Sequence, residues 1–359
     1  MTEIEYRKRV AFVNRKKELE YLNSYIQSES ENILFLHGPK SSGKTALLYK
    51  LIDKLNSEKS KYAVKHFNLR EVLICSYKDF IRSFFIIEDK KEKLRKYFSS
   101  LSAGIFKISE ELAEKLAMVK VDPFKIMKKE LQDLKEQKIK PIIIIDELQA
   151  LQDIYMNGNR LLINEIFNFF VSITKETHLA HVIVGSSDGY FIDQIYNDSK
   201  LKKTSKFYEI DYLTKEDVWE WLSNLEKYSK IKDYILTEKE IQKVWDTLGG
   251  SCWEIQSLLS DFFDDEVEKV CEEYKIKMKN LIADYIKLSS LKNKILNKFV
   301  LKIFNKYVDF SDTDLPENKI EELLSDMVHN NILYYNPTTA EFYPQGKSLE
   351  WGIKLYFKI

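Results

Sequence analysis

The sequence predicts an α/β protein built on a parallel sheet, followed by a helical region and a smaller mixed domain. Short apolar runs alternate with longer amphipathic segments through about residue 212. One run, Ile142–Ile145, has no polar alternation, which is typical of a central strand covered on both faces. After Leu213 the pattern becomes helical. Strands separated by helical stretches pair in parallel through right-handed crossovers.

Five apolar runs are the candidate strands of this sheet. They are NILFLHG (32–38), YAVKHFN (62–68), PIIIIDE (141–147), HVIVGSS (181–187) and KFYEIDY (206–212). An N-terminal segment, 1–30, precedes a core that spans 31–212. Within that core, residues 70–130 carry extra helical sequence and a small hairpin expected at AGIFKIS (103–109). We interpret this stretch as an insertion before the third strand.

A helical region with a linker is expected over 213–290. Threonine–acid pairs at 214–217 and 237–240 are typical helix starts, and Gly-Gly at 249–250 is a stop signal. A further helix is expected from about 253 to 275. We expect these helices to form a small all-helical subdomain.

A winged-helix domain is expected over 291–359. The pattern there is helix, turn, the helix ENKIEELLSDMVHNN and a two-stranded ribbon in ILYYNPTTAEFYPQ. The ribbon aromatics Tyr334, Tyr335 and Phe342 could stack on nucleic-acid bases, but we favour packing within their own domain.

Composition excludes several classes of protein. The chain has 359 residues with 56 Lys+Arg and 56 Asp+Glu, so global attraction to nucleic acid is not indicated. Three distant cysteines form no CxxC pair, which argues against a disulfide framework or a zinc site. No apolar run is long enough to span a membrane, and the first ten residues are too charged for a signal peptide. We therefore expect a cytoplasmic protein.

The pattern G-x-x-x-x-G-K-[ST] follows the first strand and opens a helix. Glycines let such a loop point its N–H groups at phosphates, and the helix dipole adds positive potential. The lysine would reach the β- and γ-phosphates, and the threonine hydroxyl would ligate Mg²⁺. The predicted nucleotide-binding residues are Gly38, Pro39, Lys40, Ser41, Ser42, Gly43, Lys44 and Thr45.

The third strand ends in a second acidic motif, IIIIDELQAL. Asp146 is placed to hold Mg²⁺ together with Thr45. Glu147 can orient and deprotonate the water that attacks the γ-phosphate, so Glu147 and Lys44 are the candidate catalytic residues. Together the two motifs predict a protein that binds a nucleoside triphosphate with Mg²⁺ and hydrolyses it. Nothing in the sequence supports binding without hydrolysis.

The fourth strand would lie between the two motif strands, as in the extra-strand class of P-loop ATPases. Its end would bring Ser186 or Ser187 near the γ-phosphate as a sensor of nucleotide state. The alternative is a serine-rich turn without such a role.

At this point a family resemblance can be stated. The segments FVNRKKELEYL, HGPKSSGKT, FNLRE, IIIIDELQAL, VIVGSSDGYF and LGGSCWEI occur in the order seen in the archaeal ATPase family, a STAND branch of the AAA-like P-loop ATPases. The resemblance covers about residues 10–260 and implies an ATP-binding core, a helical lid and hydrolysis. It also places four residues beside the adenine: Phe12, Val13, Asn14 and Arg15. Without it, Phe12 would be interpreted as a hydrophobic staple with Leu19.

Two departures from the family pattern matter. Cys252 stands where the lid motif of the family has proline, which affects the expected lid contact. No arginine follows Arg160, so a ring-forming motor with an arginine finger is disfavoured relative to a slow nucleotide switch. Arg160 could act in trans, although an exposed helix start is the preferred interpretation.

Two functions remain open at this stage. The first is a switch in which the winged helix contacts a protein partner or the core itself as an autoinhibitory module. The second is an ATP-regulated DNA-binding protein, initiator-like or regulatory. Residues 290–359 hold nine lysines and nine acids, and ENKIEELLSDMVHNN has four acids and one lysine. An acidic helix is poorly suited to the major groove, so DNA is possible but not favoured.

Overall fold

The computed structural model describes residues 11–58, 60–88, 105–156, 158–198, 201–288 and 316–358. Its strands are β1 Ile33–His37, β2 Tyr62–Asn68, β3 Ile86–Glu88, β4 Lys107–Ser109, β5 Lys140–Asp146, β6 Tyr155–Met156, β7 Arg160–Leu161, β8 His181–Gly185, β9 Ser205–Glu209, β10 Leu333–Asn336 and β11 Glu341–Pro344.

The α-helices begin and end as follows: α1 Lys16–Gln27, α2 Lys44–Ser57, α3 Tyr77–Phe84, α4 Glu110–Ala117, α5 Pro123–Glu136, α6 Leu162–Val171, α7 Gly189–Asn197, α8 Lys215–Leu222, α9 Leu225–Ser229, α10 Glu238–Leu248, α11 Cys252–Leu258, α12 Asp261–Asp264, α13 Val267–Leu288, α14 Glu317–His329 and α15 Lys347–Phe357. A 3₁₀ turn spans Leu148–Leu151, and a π-helical turn continues α6 over Ser172–Glu176. Within the described ranges, no helix combines the length and the apolar content that crossing a bilayer requires.

The central sheet has the strand order β2-β5-β8-β1-β9, and every pair in it is parallel. All five strands predicted from the apolar runs are present. β8 lies between β1 and β5, which confirms the extra-strand order. Parallel strands end at the same edge, so the segments after β1, β5 and β8 lie side by side.

Alternate residues of the central strands face opposite sides of the sheet. On β5, Ile143 and Ile145 pack with the helices of the insertion and with α6. Ile142 and Ile144 pack with α1 and α2 in a second cluster. Because both faces are covered, these isoleucines need no polar alternation, as the sequence indicated.

The stretch interpreted as an insertion contains helices and one small sheet. It contains α3, α4, α5 and the small β3–β4 sheet. The expected hairpin at 103–109 is wrong, because β3 and β4 pair in parallel, with Ile86 opposite Lys107. An aromatic cluster brings the two strands together: Phe84 stacks on Phe106 with ring centroids 5.6 Å apart.

The lid helices begin with the predicted caps. Thr214 and Thr237 each form a capping box with the acid three residues later, and α10 ends at Gly249 with φ 59°. The single helix expected over 253–275 is wrong, since α11, α12 and α13 replace it. Asp265 adopts an extended backbone that interrupts the helical path, while Phe262 turns into the core.

The C-terminal region contains the expected helix α14 and the antiparallel β10–β11 ribbon. The helix expected from residue 291 lies outside the described residues. The sequence interpretation did not include α15, which crosses α13 so closely that a Cβ at Gly352 would lie 2.7 Å from the Met278 carbonyl carbon. One hydrophobic cluster contains residues of both the lid and α15. Val218 belongs to it from the lid, and Leu349 and Ile353 belong to it from α15. The lid and the C-terminal region therefore share a core.

Candidate active site

The loop from Gly38 to Thr45 connects β1 to α2 at the edge where the parallel strands end. Gly38 has φ 146° and Gly43 has φ 93°, values that favour glycine. A Cβ at Gly38 would lie 2.2 Å from the carbonyl oxygen of Ile210, so the loop needs glycine to pass the segment after β9. The first N–H groups of α2 have no intrahelical partner and open into this loop. The loop has the form of an anion-binding cradle.

Lys44 is buried at the start of α2. Its Nζ donates to the carbonyl oxygens of Gly38 and Pro39, both at 2.8 Å. Burial lowers the pKa of Lys44 to about 8, an effect that the nearby carboxylates Glu147 and Asp146 oppose. The ammonium group therefore stays within the loop, beside the two acids of the second motif.

Thr45 and Asp146 meet across the site, as the two motifs predict. The Thr45 hydroxyl donates to Oδ2 of Asp146 at 2.7 Å. Oδ1 of Asp146 is buried and has no hydrogen-bond partner among the described residues. A Cβ at Gly185 would lie 2.5 Å from that oxygen, so glycine at the end of β8 leaves it room. A hydroxyl and a buried carboxylate oxygen without a partner fit a hard cation such as Mg²⁺.

Glu147 occupies a left-handed backbone conformation, φ 62° and ψ 44°, directly after β5. Its buried carboxylate has two partners from other segments. Arg70 contacts Oε1 at 2.7 Å, and the Ser187 hydroxyl lies 3.2 Å from Oε1 and 3.4 Å from Oε2. A strained backbone at a motif residue is common in functional sites. The candidate base is thus held in one place by charge and hydrogen bonds.

Gln149 completes the network around Glu147. Its Nε2 donates to Oε2 of Glu147, and its Oε1 accepts from the Ser186 hydroxyl at 3.0 Å. Both predicted sensor serines therefore join the Glu147 network, Ser187 directly and Ser186 through Gln149. Sequence reasoning did not assign Arg70 or Gln149. Each lies within three residues of the end of a central strand, which is the signal that could have identified them.

The N-terminal segment before α1 contacts the loop and the lid. Arg15 donates through Nη2 to the carbonyl oxygens of Ser42 and Asp211, both at 2.7 Å. Val13 is buried in the lid cluster, whereas Phe12 packs beside α1 and α2. Asn14 donates to Asp217 of α8 at 2.6 Å. The four residues predicted beside the adenine thus surround the junction of loop and lid.

Cys252 makes the contact between lid and loop. Its backbone N–H donates to the carbonyl oxygen of Ser41 at 3.0 Å. Its Sγ is 3.6 Å from the position of a Cβ on Gly43. Proline has no N–H, so the departure from the family pattern supplies a hydrogen bond that proline could not make.

The β10–β11 ribbon lies against the same edge of the sheet. The Tyr334 hydroxyl donates to Oε1 of Glu209 at 3.0 Å and lies 3.2 Å from Nδ1 of His37. Because this hydroxyl has one proton, Nδ1 of His37 is the donor in the second bond. Asn336 donates to Oε2 of Glu209 at 2.9 Å. The ribbon is therefore attached to the last residue of β1, directly before Gly38.

The aromatic residues of the ribbon also contact the core. Tyr335 stacks on Tyr190 of α7 at 5.2 Å, and a Cβ at Gly189 would lie 2.2 Å from the carbonyl oxygen of Tyr335. Phe342 lies 4.7 Å from Tyr335. Packing is thus the observed role, but against the sheet domain rather than only within their own domain.

Arg160 lies apart from the site. Its side chain is 75% exposed, as expected, and pairs with Glu165 of α6. The expected helix start is displaced by two residues, because Arg160 lies in β7 and α6 begins at Leu162.

Comparison with known proteins identifies the family. A sequence profile for an ATPase domain predominantly from Archaea matches residues 12–258. Two relatives, each named an uncharacterized ATP-binding protein of Methanocaldococcus jannaschii, are 32% identical over 347 residues and 33% identical over 341 residues. The first alignment covers 96% of this chain and 98% of the relative, and the second covers 95% of each.

A solved structure supports the fold. The Aeropyrum pernix ORC2 protein, in ADPNP–ADP complexes, has a TM-score of 0.54 and 10% identity, and the match covers 97% of this chain and 95% of that chain. At this identity the similarity shows the fold alone. The profile match and the two relatives show that the chain belongs to the family of ATPase domains found predominantly in Archaea.

Proposed function

We propose that this chain is a cytoplasmic, Mg²⁺-dependent ATPase that works as a slow, nucleotide-controlled conformational switch. The observation that carries the proposal is the position of Tyr334. Its hydroxyl bonds to His37, which precedes the phosphate loop directly, so the loop and the C-terminal ribbon are neighbours. Any movement of the loop on binding ATP or releasing ADP reaches the ribbon through one residue.

The nucleotide would bind in the loop from Gly38 to Thr45. The N–H groups of the loop and of the start of α2 would bind the phosphates. Lys44 would exchange its loop carbonyl partners for the β- and γ-phosphates. Arg15 holds the Ser42 carbonyl and so keeps the loop and the adenine side together.

Thr45 and Asp146 would hold Mg²⁺, which when bound neutralises phosphate charge. The support for this assignment is the buried Oδ1 of Asp146, which the described residues leave without a partner. Burial, and then the charge of Glu147, raise the pKa of Asp146, and a cation bound beside it would favour its charged form.

Glu147 would act as the general base that takes a proton from the attacking water. Arg70 must first release Oε1, because an oxygen that is occupied by the guanidinium cannot also accept the proton of the attacking water. This restraint supports slow turnover. Ser186 and Ser187 would report the nucleotide state, since both belong to the network around Glu147.

The C-terminal region, proposed as a winged helix, would act as an autoinhibitory module of the switch. The ribbon bonds to Glu209 and His37 of the core, and α15 packs on the lid. One element therefore bridges both sides of the nucleotide site. A protein partner that displaces the ribbon would open the site.

The alternative is an ATP-regulated DNA-binding protein. The helix–ribbon order of α14, β10 and β11 favours it, but the charge of α14 does not. Tyr334 and Tyr335 are at most 9% exposed, so bases cannot reach them while the ribbon is docked. Duplex affinity that is measured at two salt concentrations, with and without ATP, separates this alternative from the switch.

The test combines binding, single-turnover hydrolysis and hydrogen exchange. Wild type should bind Mg²⁺-ATP and hydrolyse it, whereas Glu147→Gln should bind normally and lose about 100-fold or more in rate. Glu136→Gln, at the exposed end of α5, is the control. Exchange of ribbon amides should differ between the ATP and ADP states. If the chain binds no nucleotide, or if exchange is identical in both states, the switch is wrong.

A further inference from the structure

Glu147 is held from two sides that differ in burial. On one side, Arg70 is 54% exposed, so its ion pair with Oε1 is screened by solvent and is readily exchanged. On the other side, Gln149 bonds to Oε2 and is itself bonded to Ser186, which is fully buried. Besides Ser187, which lies near both oxygens, the carboxylate therefore has one releasable partner on Oε1 and one fixed partner on Oε2.

The fixed side is a chain of hydrogen bonds with a defined direction. The backbone N–H of Asp188 donates to the Ser186 hydroxyl oxygen at 3.1 Å, and that hydroxyl donates to Oε1 of Gln149. The amide of Gln149 must then present Nε2 to Glu147. Each donor points toward the carboxylate, and the chain begins at a backbone group that cannot turn away.

The backbone around Gln149 is equally fixed. Glu147 donates its N–H to the carbonyl oxygen of Gly185 at 2.8 Å, and Ala150 donates to the Glu147 carbonyl oxygen at 3.0 Å. Leu148 and Leu151 are completely buried on either side of Gln149. The turn thus places the side chain of Gln149 beside that of Glu147. The Ser187 hydroxyl lies within hydrogen-bond distance of both Glu147 carboxylate oxygens, so it does not fix which of them faces the site.

We propose that Gln149 is a positioning residue for ATP hydrolysis. It holds Oε2 of Glu147, so that Oε1 becomes the oxygen that is directed at the attacking water when Arg70 leaves. A base must lie within hydrogen-bond reach of the proton that it removes, and misplacement by about 1 Å costs roughly 100-fold. This inference rests on the proposed function, because it assigns a role within the same reaction.

The test separates ATP binding from the chemical step. Gln149→Leu removes both hydrogen bonds, whereas Gln149→Glu keeps the acceptor for Ser186 and removes the donor to Glu147. Both variants should bind Mg²⁺-ATP within about twofold of wild type and lose about 10- to 100-fold in single-turnover rate. Gln152→Leu is the matched control, because Gln152 bonds to Gln194 at 3.2 Å and belongs to the same turn. The thermal midpoint checks that each variant is folded.

Three results would overturn the inference. A wild-type chain without turnover removes the proposed function and the inference with it. If wild type turns over and both Gln149 variants match it within twofold, the inference alone is wrong. If the variants lose ATP affinity in proportion to rate, Gln149 acts on the bound ground state and does not position the base.

Discussion

The phosphate loop and the β10–β11 ribbon meet at His37, yet they are built in opposite ways. Lys44 bonds to carbonyl groups five and six positions away in the sequence. Tyr334 bonds to residues 125 and 297 positions away. The bonds that hold the phosphate loop are therefore local in sequence. The bonds that hold the ribbon depend on long-range packing, as do those that join Thr45 to Asp146 and Arg70 to Glu147.

The largest expected effect comes from a substitution in the phosphate loop that leaves the ribbon unchanged. Lys44→Ala removes the charge that would bind the phosphates, and we expect ATP affinity to fall by about 100-fold or more, roughly 2.7 kcal/mol. Ribbon exchange should remain as in the wild type without nucleotide. Titration calorimetry measures the affinity, with Lys54→Ala on the exposed face of α2 as the control. Wild-type affinity in Lys44→Ala would contradict the assignment of the loop.

The second effect concerns His37, which belongs to both regions. Burial, and then the charge of Lys44, lower the pKa of His37 to about 4. The unfolded chain, with a pKa near 6.5, therefore binds the proton first, and stability is full above pH 6.5 and is lost as pH falls toward 4. We expect protonation of His37 in the unfolded chain to lower the free energy of unfolding by about 2.5 kcal/mol at pH 4.5, relative to neutral pH.

Urea unfolding at pH 7 and pH 4.5 measures this loss. His37→Gln cannot take up the proton and should lose less stability than wild type between these two pH values. His329→Gln, on an exposed position of α14, should lose as much as wild type. An equal loss in His37→Gln would mean that other groups, such as the buried His181, cause the whole effect.

The third effect comes from a substitution in the β10–β11 ribbon that leaves the phosphate loop unchanged. Tyr334→Phe removes the hydroxyl that joins His37 and Glu209, which costs about 1–2 kcal/mol in ribbon docking. Amide exchange in β10 should become about tenfold faster, while the intrinsic contacts of the loop remain. Tyr343→Phe is the matched control, since the Tyr343 hydroxyl bonds to Glu341 within the ribbon. Unchanged exchange in Tyr334→Phe would show that the other contacts, Tyr335 on Tyr190 and Asn336 on Glu209, are enough to hold the ribbon.

The smallest expected effect concerns the contact between the lid and the phosphate loop at Cys252. Cys252→Pro restores the residue of the family pattern but removes the N–H that bonds to Ser41. We expect a loss of about 1 kcal/mol in lid closure and release of a fluorescent ADP analogue about fivefold faster. Cys252→Ser keeps the N–H and should release the analogue at the wild-type rate. Proline is tolerated at this first helical position, so the fold should persist. Equal release rates would assign lid closure to Arg15 and the other contacts.

The sheet and the meeting of Thr45 with Asp146 were predictable, because both follow from local patterns. An apolar run, a glycine loop and an acid at a strand end each determine their own conformation, and parallel pairing brings the ends together. The break of the helix at Asp265 was missed, because acidic residues continue without glycine or proline to mark it.

Other features depend on contacts that a single sequence does not reveal. The parallel pairing of β3 with β4 follows from aromatic packing between distant segments. Gln149 is an ordinary polar residue until the turn after Glu147 brings it back over the carboxylate. The docking of Tyr334 requires the whole sheet as its surface. α15 does carry a local signal, since Leu349 and Ile353 are four residues apart and face the same side of a helix.

The shared core of the lid and the C-terminal region has a consequence for synthesis of the chain. The buried members of the two sheet clusters lie within residues 22–210, so the sheet can acquire its core early in translation. The lid cluster is completed by Leu349 and Ile353. A ribosome that stalls before residue 333 would therefore carry a finished sheet beside an unfinished lid. Such a nascent chain would have the phosphate loop without the β10–β11 ribbon proposed to restrain it.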